Sequence, residues 1–233
     1  LETNIHGTEV VLTEAGRRST PVFIASSSEV YGKGTRCPFR EDDDVLLGAT
    51  TKSRWSYAAS KMVDEFLALS WFREKGLPVR VGRFFNTVGP RQVGRYGMVL
   101  PNFARQAITG QPITVFGDGK QQRCFGHVKD SVQAIAKLLD TPDAAGQVFN
   151  VGNPEEISIM GLAELVRERA GSESEIQLIP YSKAYGEGFE DMPRRVPDAS
   201  KLERVTGYKF QLKLDQIVDD VIADQRSRLE QQG

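Results

Sequence analysis

Pro21-Val22-Phe23-Ile24-Ala25-Ser26-Ser27-Ser28-Glu29 is the stretch whose reading decides the fold. Its apolar half is a short unbroken run that ends in a serine tract. Shortness without alternation marks a strand buried on both faces, as in a parallel sheet. A loop rich in Gly, Thr, Pro and Asp comes next, from Gly32 to Lys52. Ser56 to Lys75 then reads as a helix, because Ala58, Met62, Phe66, Leu69 and Phe72 recur at helical spacing and Gly76-Leu77-Pro78 stops it. Val79 to Val88 is predicted as the next strand. Strand, loop, helix, strand is a βαβ unit with a right-handed crossover.

Outward from this unit, Ile5, Val10, Val11 and Ala15 place a helix before it. After it the patterns predict helices at about Val99–Ile108, Lys129–Leu139, Ser158–Ala170 and Leu214–Leu229. Strands are predicted at Ile113–Phe116, Gln147–Val151 and Glu175–Ile179. Gly110-Gln111-Pro112, Gly117-Asp118-Gly119 and Gly152-Asn153-Pro154 are the turns between them. The fold class is therefore α/β: the C-terminal part of a Rossmann-like, doubly wound parallel sheet with a smaller α/β lobe. Residues 1–95 are expected to belong to the nucleotide-binding domain. Residues 96–233 are expected to form mainly a substrate lobe, with some segments returning to the main sheet. The first residue is Leu, inside a helical pattern, which is read as a chain whose N-terminal part is absent.

Composition excludes several classes. With 39% apolar and 26% charged residues the 233-residue chain is neither disordered nor fibrous. Lys+Arg 30 against Asp+Glu 31 leaves a formal charge of −1, so no basic field argues for nucleic acid or an anionic membrane. No apolar run approaches the roughly 18 residues of a membrane span. Cys37 and Cys124 form no framework, which suits a reducing cytoplasm. Two histidines without paired cysteines, and a Glu41-Asp42-Asp43-Asp44 run read as a solvated loop, give no metal site.

The chemistry is expected at Ser27 and at Tyr57-Ala58-Ala59-Ser60-Lys61. Tyr57 and Lys61 lie four apart on a helix and so share a face. A lysine ammonium near a phenol favours the phenolate, which can take a proton from a sugar hydroxyl. Ser27 would orient the same oxygen at the carboxyl end of a strand, where open α/β sheets bind ligands.

These motifs, in order, resemble the extended short-chain dehydrogenase/reductases, the NAD-dependent nucleotide-sugar epimerase/dehydratase family. Asn4-Ile5-His6-Gly7-Thr8, Ser27-Ser28-Glu29-Val30-Tyr31-Gly32, Phe84-Phe85-Asn86, Arg123 to Asp130, Asn150-Val151-Gly152 and Arg195-Val196-Pro197-Asp198 carry the resemblance beside Tyr57–Lys61. It implies NAD as cofactor, with Lys61 and Tyr57 at the nicotinamide ribose and Phe84 near the ring. The family's glycine-rich turn and acidic ribose ligand lie upstream of its Asn-x-x-Gly-Thr helix, hence outside this chain. The resemblance also implies a UDP-sugar substrate and a homodimer through a bundle that includes the Tyr57 helix.

By position, Ser27 orients substrate, Tyr57 is the base and Lys61 its tuner. Ser28 and Asn86 bind substrate, Leu100 and Phe116 line the uracil pocket, and Arg123 and Arg195 hold the diphosphate. Arg91 and Arg95 are weaker candidates. For Leu100 and Phe116 simple core packing is the alternative; for the arginines it is a surface charge or ion pair.

All these enzymes begin by oxidising the sugar at C4. Ser28 stands where dehydratases resemble one another in carrying Asp, and serine cannot expel water at neutral pH. Ser28-Glu29 with Arg54-Trp55-Ser56-Tyr57 and Gln121-Gln122-Arg123-Cys124-Phe125 resembles UDP-glucuronate decarboxylases, with 4-epimerases as the alternative and a non-catalytic binding protein as a more distant one. Glu29 comes two residues after Ser27, so in an extended strand both would face the same cleft. There Glu29 is a candidate acid–base group, with capping of the adjoining loop as its alternative role.

Overall fold

The computed structural model describes residues 2–94, 98–181, 183 and 192–231. The chain divides into two compact units: residues 1–85, 130–154 and 195–210 form one, and residues 86–129, 155–194 and 211–233 the other. The division thus falls at Phe85/Asn86, and two later segments return to the first unit.

In the first unit, α1 (Glu2–Arg17) precedes β1 (Val22–Ser27), α2 (Arg54–Lys75) and β2 (Val79–Phe84). The chain returns as α4 (Val128–Asp140, within the unit from Asp130), β7 (Gln147–Val151) and α6 (Ser200–Thr206). The sheet has the order β1-β2-β7, all parallel, with Ser27 opposite Phe84 and Phe84 opposite Val151 at the carboxyl ends. Strand alternation sorts the side chains onto two faces. Val22, Ile24, Val79 and Val81 meet Leu12 of α1 and Ala68 of α2 on one face. Phe23, Phe84, Phe149 and Val151 meet Ala134 and Leu138 of α4 and Leu202 of α6 on the other. Arg80 lies on this second face and donates to the carbonyls of Leu138 and Thr141, closing the last turn of α4. Gly76 ends α2 with a left-handed φ of 69°. Gly146 is required before β7, since a Cβ there would lie 2.1 Å from the Phe72 ring, at a φ of 74°.

In the second unit, α3 (Val99–Ile108), α5 (Ile159–Ala170) and α7 (Leu214–Glu230) pack together around Leu100, Phe103, Leu162, Val166, Ile217 and Val221. β4 (Ile113–Phe116) pairs in parallel with β9 (Ile176–Ile179), and β5 (Gln122–Cys124) antiparallel with β8 (Glu156–Ser158). The strand expected over Val79–Val88 is interrupted. Its last two residues, Thr87–Val88 (β3), pair instead with Gly126–His127 (β6). Phe85 donates its N–H to the Val151 carbonyl, and the Asn86 side chain turns to Cys124, so no ladder continues through them.

Candidate active site

Ser27 ends β1 and caps the turn after it. Its backbone is extended, with φ −141° and ψ 145°, and its hydroxyl accepts the Glu29 N–H at 3.2 Å, so Ser28–Tyr31 coils into a 3₁₀ turn. The expectation of Ser27 and Glu29 on one side of an extended strand is therefore corrected. The turn replaces that alternation, because a serine at a strand end satisfies the next orphan N–H more directly than the sheet does. Ser28, expected at the substrate, is 2% exposed and points into the protein.

Glu29 is held by two arginines. Arg54, the first residue of α2, donates to Oε2 at 3.2 Å, and Arg195 donates to Oε1. All three side chains are mostly but not wholly buried, at 14–21% exposure. The cluster carries two positive charges against one negative. Arg195, expected on a diphosphate, has Glu29 as its observed partner, the ion-pair alternative. Arg54 escapes sequence reasoning as a site residue, although it stands three before Tyr57, where a helix places a near neighbour.

Tyr57 lies on the first turns of α2, is 48% exposed, and its hydroxyl has no protein partner among the described residues. Lys61 comes one turn later, largely buried, with Nζ 3.1 Å from Asp64 Oδ2. The helix is tied to α1 through Ser60, whose hydroxyl accepts from Asn4 Nδ2 at 2.9 Å and donates to the Tyr57 carbonyl.

Beneath this surface lies a network that sequence reasoning does not anticipate. Glu65 accepts from Ser26 Oγ and takes both branches of the Arg83 guanidinium, at 2.9 Å from Nε and 2.8 Å from Nη2. Arg83 also lies over the Tyr31 ring, 4.7 Å from its centroid. Tyr31 is fully buried, stacks on Phe39 and donates to Asn150 Oδ1 at 2.7 Å. Burial pushes the Tyr31 phenol up to about 12, against the pull of Arg83. Burial alone would lower Arg83, but Glu65 outweighs it and the guanidinium is held above its ordinary value. Asn150 closes the circuit by donating to the Phe39 and Asp198 carbonyls, while its own N–H goes to Glu41. The signal for this network is the spacing of Ser26 and Arg83 on the α2-facing sides of their strands.

Phe84 sits at the carboxyl edge but on the sheet face away from α2, where its ring packs edge-on against Phe23 at 6.1 Å. Its ring is thereby engaged in packing. In the second unit, Leu100 is fully buried in the core, so it packs rather than lines a surface. Phe116 is half-buried at the end of β4. Arg123 is 7% exposed and donates to the neighbouring Gln122 carbonyl. Asn86 donates to the Cys124 carbonyl at 2.7 Å and accepts the Gly126 N–H, holding the β3–β6 pair in register. Arg91 takes a left-handed φ of 69°, and Arg95 lies outside the described residues.

The described residues thus offer an exposed phenol, a largely buried lysine one helical turn further along α2, and a serine hydroxyl capping the carboxyl end of a parallel strand. Residues 1–152 match the model of the NAD dependent epimerase/dehydratase family. The chain belongs to this family. It is 42% identical over 223 residues to a UDP-N-acetyl-alpha-D-glucosaminuronate decarboxylase of Bacillus cytotoxicus, covering 95% of this chain and 68% of that protein. It is 34% identical over 231 residues to UDP-glucuronic acid decarboxylase 1 of Arabidopsis thaliana, covering 98% of this chain and 51% of that one. Among solved structures it is similar, with a TM-score of 0.87 and 25% identity, to a UDP-N-acetylglucosamine 4-epimerase of Methanobrevibacter ruminantium in complex with UDP-N-acetylmuramic acid. That match covers 97% of this chain and 70% of the other. The chain therefore spans about two thirds of the bacterial relative and about half of the plant one.

Family membership brings NAD as the cofactor. The residues present fit the nicotinamide end of such a ligand: Tyr57 offers a hydroxyl without a protein partner among the described residues, and Lys61 an ammonium from the next turn of α2. Among the described residues no glycine-rich turn joins a strand to a long helix, so the fit concerns that end alone.

Proposed function

We propose that the protein carrying this chain is an NAD-dependent decarboxylase of a UDP-hexuronate. The observation that carries the reading is Glu29 between Arg54 and Arg195, with Arg54 one helical turn before Tyr57 on α2. A substrate carboxylate brought near an ionised Glu29 would be repelled. Two guanidiniums against one carboxylate leave the cluster net positive and remove that penalty. A neutral hexose has no use for the second arginine. The names of the bacterial and plant relatives support the same reading.

In this reading Tyr57 takes the proton of the sugar C4 hydroxyl, and Ser27 orients that oxygen. NAD, when bound, supplies the hydride acceptor and later the donor at C4. With C4 a ketone, the bond from C5 to its carboxylate breaks. Carbon dioxide leaves, and the electron pair passes through C5 onto the C4 oxygen. To Glu29 we assign the proton that C5 then takes up, and Tyr57 returns its proton as C4 becomes an alcohol again. Lys61 and Phe84 are the further cofactor candidates. Ser28, Asn86, Leu100, Phe116 and Arg123 are retained as substrate candidates by resemblance, with Leu100 and Ser28 weakened by their burial.

The test is to incubate the full-length protein with UDP-glucuronate and UDP-N-acetylglucosaminuronate and monitor carbon dioxide. Release from either supports the reading. Interconversion of UDP-glucose and UDP-galactose, with both uronates untouched, replaces it with a 4-epimerase, the second reading that the methanogen structure favours.

A homodimer is proposed on the same footing. Val10 and Val11 of α1 and Phe66 of α2 are large apolar side chains left 47–60% exposed on the paired helices. No helix among the described residues is long and apolar enough to cross a membrane. A cytoplasmic location is our proposal from Cys37 and Cys124, which form no disulfide.

A further inference from the structure

α2 carries two adjacent buried carboxylates with opposite surroundings. Glu65 is saturated by Ser26 and by both branches of Arg83. Asp64 is 0% exposed, yet one oxygen, Oδ1, has no hydrogen-bond partner among the described residues, and the other holds only Lys61 Nζ, at 3.1 Å. A buried carboxylate is costly unless it is paired, so a lone partner is a strong constraint on that partner. The lysine in question is the one whose ammonium the Tyr57 phenol needs nearby, one turn toward the start of the helix. Left to itself a flexible four-carbon lysine stem samples many rotamers and fixes nothing.

We propose that Asp64 is a positioning residue: it holds the Lys61 ammonium in one place on the Tyr57 face of α2, and acts on the reaction through Lys61. Among the described residues Asp64 shares no hydrogen bond with Tyr57. The inference rests on reading Tyr57 and Lys61 as the base and its tuner. It gives a use to a buried oxygen that packing does not explain, and it separates Asp64 from Glu65, whose bonds all serve to join α2 to the sheet.

The test uses the full-length protein and two readouts. The first is independent of turnover: trace acetylation with acetic anhydride, mapped by mass spectrometry, with the exposed Lys52 as internal reference. An ammonium held against a buried carboxylate, with only 17% of its side chain exposed, is screened from the anhydride. Lys61 should therefore label slowly in the wild type and at least about threefold faster, relative to Lys52, in Asp64→Asn. Equal rates overturn the proposal. Asp64→Glu, which keeps the charge, should restore slow labelling if it folds as the melting curve shows. Should Asp64→Asn not fold, Asp64→Ser replaces it, and fast labelling of Lys61 in the folded wild type overturns the proposal by itself.

The second readout is kinetic. Asp64→Asn should lower kcat by about 10–100-fold, the scale of a misplaced catalytic group, with KM for the UDP-sugar unchanged within about twofold. A raised KM with normal kcat overturns the positioning role. A wild type that turns over no UDP-sugar refutes the enzymatic reading instead, and leaves the acetylation result to judge the Asp64–Lys61 link.

Discussion

Two of the carboxylate–arginine clusters in the first unit differ in burial, and the difference separates what holds this protein together from what we propose works in it. Glu65 and Arg83 are both under a tenth exposed, meet in a two-branched pair, and have their remaining groups taken by Ser26 and the Tyr31 ring. Glu29 with Arg54 and Arg195 is made of the same side chains but keeps about a fifth of its surface. In the first, both carboxylate oxygens are bonded and the pair is almost wholly buried, so breaking it leaves a stranded charge. In the second, solvent reaches the charges, the pairing is weakly held, and a ligand carboxylate can compete for it. Burial, rather than residue type, assigns the roles.

The largest expected effect tests the working cluster through its neighbour. Tyr57→Phe should cost about 10²–10⁴ in turnover of the full-length enzyme, the worth of a general base. Its urea midpoint should hardly move, because the lost hydroxyl is exposed and without a protein partner. Near-normal turnover would remove Tyr57 from the chemistry.

Next comes the buried pair. Arg83→Met alone should destabilise by about 3–5 kcal/mol, since Glu65 is left charged and unpartnered. Adding Glu65→Leu should recover a large part of that loss. Recovery would show that the penalty is the stranded charge, and its absence that the geometry of the pair carries the stability.

Tyr31→Phe probes the same network more gently. It removes the bond to Asn150 and should cost about 1–3 kcal/mol. Tyr31 also makes stability depend on pH at the alkaline end. Its folded value of about 12 lies above its ordinary 10.0, so the folded state holds the proton more tightly than the unfolded chain does. The contribution is complete below pH 10 and is lost as pH rises toward 12. Urea melts between these pH values should show a smaller alkaline loss for Tyr31→Phe than for the wild type.

The smallest effect on stability is expected at Glu29. Glu29→Gln should change the unfolding free energy by less than about 1 kcal/mol, as partly exposed pairs do. It should nonetheless slow carbon dioxide release at least about tenfold. A stability loss as large as that of Arg83→Met would collapse the distinction between the clusters.

Legibility in the sequence differs between elements and contacts. The helix over Val99–Ile108 and the strands at Ile113–Phe116 and Gln147–Val151 are readable to the residue, because apolar periodicity and glycine turns are local signals. The two-residue strands are not, since a pairing such as Thr87–Val88 with Gly126–His127 is set by a partner some forty positions away. Tyr57 and Lys61 are legible because both sit on one helix, where spacing alone dictates a shared face. Arg54 stands in view three residues before Tyr57, but its role needs Glu29 to be brought to it across a long loop.

By itself, then, the sequence determined an α/β chain of the epimerase/dehydratase family, with Tyr57 and Lys61 on one helix face. Such features are written in short-range order, through hydrophobic period, turn residues and helical spacing. Tertiary structure alone decided that Glu29 lies in a capped turn rather than in a strand, that Arg195 meets it from 166 residues away, and that Leu100 is core. It also decided that Asp64 answers to Lys61 while Glu65 answers to Arg83. The reason is physical: a charged side chain is defined by its desolvation and its partners, and both are properties of the folded neighbourhood rather than of the residue's place in the chain.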